Sequence, residues 1–212
     1  MKTSFFSITA LLILVISTLP PAFAASNGKT IATQGNDKGA TACFACHGTN
    51  GMGNKQAGYP YLAALPVNYL KRQLENFKSG LRQNAIMMPI AKKLSPADIA
   101  AVANYYSTLK NDLLTTANLT GNTSNPQAMM LFEKGQWSKG IPACVQCHGP
   151  NGTGVATQFP PIIGQPYSYI RNQLTAWQDG KRKGDPVNLM HSVANKLNLG
   201  EIDSLAHYLA MQ

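Results

Sequence analysis

The chain has 212 residues, 44% of them hydrophobic and only 13% charged, with a formal net charge of +9. The surplus comes from scarce carboxylates, 9 acidic residues against 18 basic ones, and the lysines and arginines are dispersed, Lys181-Arg182-Lys183 being a short run. A nucleic-acid binder would carry a denser basic stripe interleaved with aromatics, which counts against that class; most of these charges read as a solvated surface, and the sharper reading is a docking field for an acidic partner.

Taken in chain order, the first segment reads as an export signal. Lys2 precedes an apolar run over residues 5–19, and Ala22-Phe23-Ala24 gives the small-x-small pattern of a cleavage site after Ala24. The run is short for a membrane span. Next comes "IATQGNDKGATA", which has no clear helical pattern, and then "CFACHGTNG" from Cys43. Residues 67–78 place Tyr69, Leu70, Leu74 and Phe77 on one stripe and predict a helix. Ser95-Pro96-Ala97-Asp98 marks another helix start, with Ser95 as N-cap. Residues 110–125, rich in Asn, Thr, Ser and Gly, read as a linker. Asn125-Pro126 opens a predicted helix to residue 136, ahead of "CVQCHGPNG" from Cys144. Tyr169, Ile170, Leu174 and Trp177 repeat the earlier stripe, and Asn198 with Glu201 three residues on is a capping-box signal. No strand alternation of useful length occurs, so the expected class is all-α.

The two Cys-x-x-Cys-His segments belong to a longer repeat. Cys43/Cys144, Cys46/Cys147 and His47/His148 align at an offset of 101, and Pro60/Pro160, Pro66/Pro166, Tyr69/Tyr169, Gln73/Gln173 and Arg82/Arg182 at 100. "AKKLSPADIAAVANYY" then meets "ANKLNLGEIDSLAHYL" at 103, after three extra residues in the second half. Such agreement is a tandem duplication. It sets the domains at 25–110 and 126–212, joined by a linker over 111–125. Each is small for a self-sufficient core, and a large apolar cofactor in each would supply what is missing.

Cys-x-x-Cys-His is the attachment pattern of haem c: the thiols form thioethers with the porphyrin, and the adjacent imidazole reaches the iron. A zinc site would leave each metal short of ligands, because the repeat gives every Cys pair its own domain and one histidine. A thioredoxin-like pair needs a βαβ context that is missing, and plain disulfides leave His47 and His148 unexplained. Two covalently bound haem c groups are therefore expected, on Cys43, Cys46, Cys144 and Cys147.

Together with "YPYL", "FPPIIGQ" and the "A-x-K-L" segments ahead of the last helices, the two motifs resemble the di-haem cytochromes c4 over nearly the whole mature chain. The resemblance implies two class I cytochrome c domains related by a pseudo-twofold axis, passing electrons in the bacterial periplasm. It also implies that the carbonyls of Pro60 and Pro160 accept the second N–H of the proximal histidines; a turn proline is the plainer role. The chain departs from its own repeat at Ala64-Leu65, where the second half has Gly164-Gln165, and at Tyr61, where it has Pro161.

The repeat also selects the sixth ligand, expected to be methionine as in cytochromes c. Met52 faces Thr153 and Met211 faces Thr108, whereas Met87 pairs with Met190. The expected axial sets are His47 with Met87 and His148 with Met190; Met88 and His191 are the competing neighbours. With both positions filled, the protein stores and relays single electrons and has no catalytic residues. The expected donor is a quinol-oxidising complex or another periplasmic carrier, a cytochrome or copper protein, and the acceptor a membrane terminal oxidase, with peripheral membrane association possible. The alternative is the electron-accepting subunit of a periplasmic dehydrogenase, such as a sulfide-oxidising flavoprotein. Tyr61, near the first haem and without an aromatic twin, is a candidate for sensing the partner, with plain packing as the equal alternative.

Overall fold

A computed structural model describes residues 27–116, 125–155 and 158–212. The export signal and the middle of the linker lie outside the described residues. The first half runs α1 (Gly28–Gln34), α2 (Phe44–His47), α3 (Val67–Ser79), α4 (Met87–Lys92) and α5 (Pro96–Ser107). A short α6 (Asp112–Thr116) follows, and the second half repeats the order as α7 (Pro126–Lys134), α8 (Cys144–His148), α9 (Tyr167–Gln178), α10 (Leu189–Ala194) and α11 (Leu199–Ala210). Among the described residues the extended pairings are isolated bridges, not strands.

Local chemistry explains the helix ends. Ser95 and Asp98 form a reciprocal capping box, and so do Asn198 and Glu201, satisfying donors that a helix start leaves bare. Asn125 Oδ1 accepts from Ala128 N at 3.0 Å. Its helix stops at Lys134, short of residue 136, because Gly135 turns the chain with φ 74°. The first half has a matching helix at α1, where the sequence shows no pattern. Asn27 caps it, and Gly28 lets it lie so close to α5 that a Cβ would sit 2.1 Å from Ala101 O. Only Ile31 and Ala32 are buried along it, too few to make a visible stripe.

Each half packs its first helix and its CxxCH-following helix against its last: α1 and α3 on α5, α7 and α9 on α11. Phe132, Ile141, Ile163, Ile202 and Tyr208 are at most 1% exposed in the second core, each side chain worth about 1.5–3 kcal/mol of burial. In the first half Tyr61, Leu65, Tyr69 and Tyr106 form one cluster, and Ile31, Leu94, Ile99 and Val102 adjoin it. The segment read as linker begins with structure of its own. Leu114 of α6 packs against both cores, and Asn111 Nδ2 donates to Ala63 O at 3.3 Å.

Candidate haem sites and the interface between them

In both halves the Cys-x-x-Cys-His segment is a single helical turn that ends on a left-handed glycine, Gly48 or Gly149. The loop beyond folds back on the histidine. Gly53 N donates to His47 O at 2.8 Å, and Gly154 N to His148 O at 2.7 Å. Only glycine fits there: a Cβ on Gly53, at φ 74°, would meet Tyr59 O at 2.5 Å. The fold-back brings the following proline to the ring. His47 Nδ1 donates to Pro60 O, and His148 Nδ1 to Pro160 O, each at 2.8 Å. A carbonyl only accepts, so this bond fixes the tautomer and leaves Nε2 as the nitrogen available to a metal. Burial pushes both imidazoles below the usual histidine range, with the proline bonds opposing it. Both rings are therefore uncharged at neutral pH.

A cavity of about 370 Å³ opens in the second half, lined by Cys144, Cys147, His148 and Met190 with an apolar wall that includes Trp177 and Leu205. Two thiols, one imidazole with a free Nε2 and one thioether around a single apolar space suit haem c. Burial pushes the Cys144 thiol up to about 11, so without a bound group it stays protonated. Among the described residues no cluster of three His, Cys, Asp or Glu side chains gathers to hold a bare ion. His191 is exposed, with Nδ1 at 3.1 Å from Trp177 O, and does not line the cavity.

The methionine helices are entered in matching ways. Asn84 Oδ1 accepts from Met87 N at 2.9 Å, and Asp185 Oδ2 from Met190 N at 2.6 Å. Asp185 stands five residues ahead of its methionine, Asn84 three, so two of the extra residues of the second half fall in this turn. They build a tight turn at Pro186–Asn188 in which Val187 and Asn188 both take left-handed φ, 52° and 53°.

The wall of the second cavity is not all from the second half. Leu65, Tyr69, Arg72, Gln73 and Asn76 of the first half line it too. The two halves meet through the same segment of each: Gln83 N donates to Lys181 O and Lys183 N to Leu81 O, both at 2.7 Å. Arg82 and Arg182 face each other in this pairing and are 6% and 9% exposed. Burial, then the charge of Arg82, pushes the Arg182 guanidinium down from its usual value. Arg82, Gln73 and their counterparts were visible in the sequence only as repeated positions, and Tyr69 and Tyr169 also as members of helical stripes. Tyr61 also belongs here. It is 1% exposed, its hydroxyl donates to Ile163 O at 2.9 Å, and Gln165 bonds its backbone at 3.0 and 3.2 Å. A partner cannot touch it directly.

A family model described as cytochrome c matches residues 25–110 and 131–211. Two proteins named thiosulfate dehydrogenase electron acceptor are similar to this chain. The one from Thiomonas intermedia is 47% identical over 82% of this chain and 79% of its own length. The one from Stutzerimonas stutzeri is 40% identical, over 88% and 86%. Cytochrome c4 of Pseudomonas aeruginosa is 34% identical, over 80% and 83%. Among solved structures, thiosulfate dehydrogenase from Marichromatium purpuratum matches with a TM-score of 0.78 at 42% identity, over 86% of this chain and 39% of that longer one. Reduced cytochrome c4 from Pseudomonas stutzeri matches with a TM-score of 0.68 at 31% identity, over 79% and 92%.

Proposed function

The chain belongs to the cytochrome c family and carries two haem c groups on tandem domains, and from that premise we propose that it is the one-electron acceptor of a thiosulfate-oxidising dehydrogenase in the periplasm. What supports this is the gradient of likeness: 47% and 40% identity to the two electron acceptors, against 34% to a cytochrome c4. The donor in this reading is the dehydrogenase, in place of the quinol-oxidising complex or other carrier, which agrees in class with the dehydrogenase-subunit alternative and differs from it in substrate. Electrons then pass to a membrane terminal oxidase through a further cytochrome or copper carrier.

In this reading Cys43 and Cys46 hold one haem and Cys144 and Cys147 the other. His47 and His148 would ligate iron through Nε2, oriented by Pro60 and Pro160, and Met87 and Met190 would supply the second ligand of each haem. Haem supplies a one-electron ferric/ferrous couple at each site. The residues around it exclude water with an apolar wall and keep both imidazoles neutral, and methionine ligation raises the potential so that electrons are readily accepted. With one histidine and one methionine committed to each haem, no ligand position would remain for a substrate, so thiosulfate itself would be oxidised on the partner. The domains in this scheme are 25–110 and 126–212, joined by 111–125, after an export signal cleaved at Ala24.

The test is stopped-flow reduction of the holoprotein. A purified thiosulfate dehydrogenase with thiosulfate should reduce both haems at a rate that depends on cytochrome concentration. Reduction by a quinol-oxidising complex, with none by the dehydrogenase, would reject the assignment in favour of a general respiratory relay.

A further inference from the structure

We propose that Asp185 sets the two haems apart: its carboxylate seats Met190 and keeps a negative charge in the wall of the second cavity, which lowers the electron affinity of the second haem alone. The inference rests on the di-haem reading above and extends it to a residue that binds no iron.

The methionine helices of the two halves start with the same bond made by different chemistry. In the first, Asn84 Oδ1 accepts from Ile86 N at 3.0 Å and from Met87 N at 2.9 Å. In the second, Asp185 Oδ2 accepts from Met190 N at 2.6 Å and from His191 N at 3.4 Å. The first half is an internal control: an amide oxygen is enough to hold the methionine N–H. What the aspartate adds is charge.

The longer turn of the second half carries that charge inward. Asn84 is exposed, whereas Asp185 is half-buried, and its Oδ1 is dry and has no hydrogen-bond partner. Asp185 lines the cavity together with Cys144, Cys147, His148 and Met190, and among the described residues it is the one acidic side chain that does so. No ion pair among the described residues includes it. Arg182, three residues earlier, gives its hydrogen bonds to Gln173, Gln73 and Tyr69. The turn itself is strained, since Val187 is β-branched, 90% exposed and held at a left-handed φ of 52°. A left-handed valine and a dry carboxylate oxygen both oppose folding, and strain of this kind persists where it serves a site. Here it holds one anion beside the iron's methionine.

An anion favours ferric iron over ferrous, because reduction removes a positive charge from the site. In a dry apolar wall the effect exceeds that at a wetted surface. Asp185→Asn keeps an acceptor for Met190 N and drops the charge. It should mature with two thioether haems and the methionine–iron absorption of both. A redox titration read through each haem's own axial-methionine resonances separates the two potentials. The second should rise by on the order of tenfold in electron affinity, or about 59 mV for a one-electron couple, with the first unmoved. Asp185→Glu keeps the charge and should stay near the wild-type values. Asn84→Asp adds a charge that water screens, and should lower the first potential by clearly less. The effect of Asp185→Asn should persist in high salt, as a buried charge requires.

An unmoved second potential, an equal rise at both haems, or a rise that salt abolishes overturns the proposal. So does an equal rise in Asp185→Glu, which would trace the effect to shape. Loss of the second methionine–iron band in Asp185→Asn would leave the carboxylate a seat for Met190 and nothing more, and would overturn the role of its charge. Wild-type protein lacking two haems would overturn the reading beneath, which mass spectrometry reports separately.

Discussion

Replacing Tyr61 by phenylalanine removes one oxygen from the boundary between the domains and leaves the ring. The hydroxyl is buried and donates to Ile163 O at 2.9 Å across that boundary. Burial pushes the phenol well above its usual range, so it remains a donor at any working pH. The ring keeps its packing, so no cavity opens. What is lost is the bond, and the Ile163 carbonyl is left dry and unpaired, a penalty of roughly 1–3 kcal/mol. We expect Tyr61→Phe to cost about 2 kcal/mol, or about 4–8 °C in Tm for a chain of this size. Guanidinium unfolding of the oxidised holoprotein, followed at the Soret band, measures it. Since the side chain is sealed between the domains, partner affinity should stay within a factor of about 2, a difference of only ~0.4 kcal/mol. A variant as stable as the wild type would show that the bond contributes nothing. A large loss of partner affinity with stability intact would place Tyr61 in the docking surface after all.

Ala64 holds φ 61° where the second half has Gly164 at 68°; Ala64→Gly should stabilise the protein by about 1 kcal/mol, the left-handed penalty of alanine less the extra entropy of glycine, read as a rise in denaturation midpoint. Met87→Ala and Met190→Ala should each remove half of the methionine–iron absorption, admit carbon monoxide to one haem and lower one potential; the same result from Met88→Ala or His191→Ala would move the ligand register. Glu201 accepts from Lys139 Nζ at 2.6 Å and Asn198 N at 2.8 Å, and these bonds outweigh burial and hold its carboxyl below the usual range. A depressed folded pKa means stability that is present above the unfolded value and is lost as pH falls through the folded one. Glu201→Gln, which keeps the cap, should therefore cost about 1 kcal/mol at pH 7 and nothing once both forms are acidified, as thermal melts across pH will record.

The haem attachment segments, the helix caps and the repeat are all local features, and the sequence carries them openly. Ser95-Asp98 and Asn198-Glu201 signal their helices because a cap needs a particular side chain at a particular spacing. The first helix offered only Asn27 as a cap, with no acidic partner three residues on and no apolar stripe behind it. It is held by the absence of a side chain at Gly28 and by contact with Ala101, and neither is periodic. The interface was hidden for a different reason. Tyr61, Gln165 and the arginine pair act across about a hundred residues of chain, and pattern reading does not say which surfaces meet. From the sequence, Tyr61 is open between partner contact and packing; its burial and its bond to Ile163 favour packing, and make it a fastening between domains. Even so, Gln73/Gln173 and Arg82/Arg182 repeat as polar positions next to helical stripes. A buried, self-meeting surface is one physical reason for such repetition.

The pairing of residues 81–83 with 181–183 brings one surface against a copy of itself, which is the geometry of a twofold homodimer. A single half cut free at the linker would thus keep its own complementary face. The tether does not create this contact; it makes the meeting of the two faces intramolecular and so raises their effective concentration. Association that depends on dilution in separate chains becomes a property of the fold. It also becomes a surface on which the halves can diverge, since a change on one side is no longer copied to the other. The Tyr61–Gln165 contact, with Pro161 and Leu65 at the mirrored positions, is such a change. Divergence there gives the two haems unequal surroundings while leaving their contact intact, and an inequality of that kind lends direction to a chain of two otherwise equivalent electron sites.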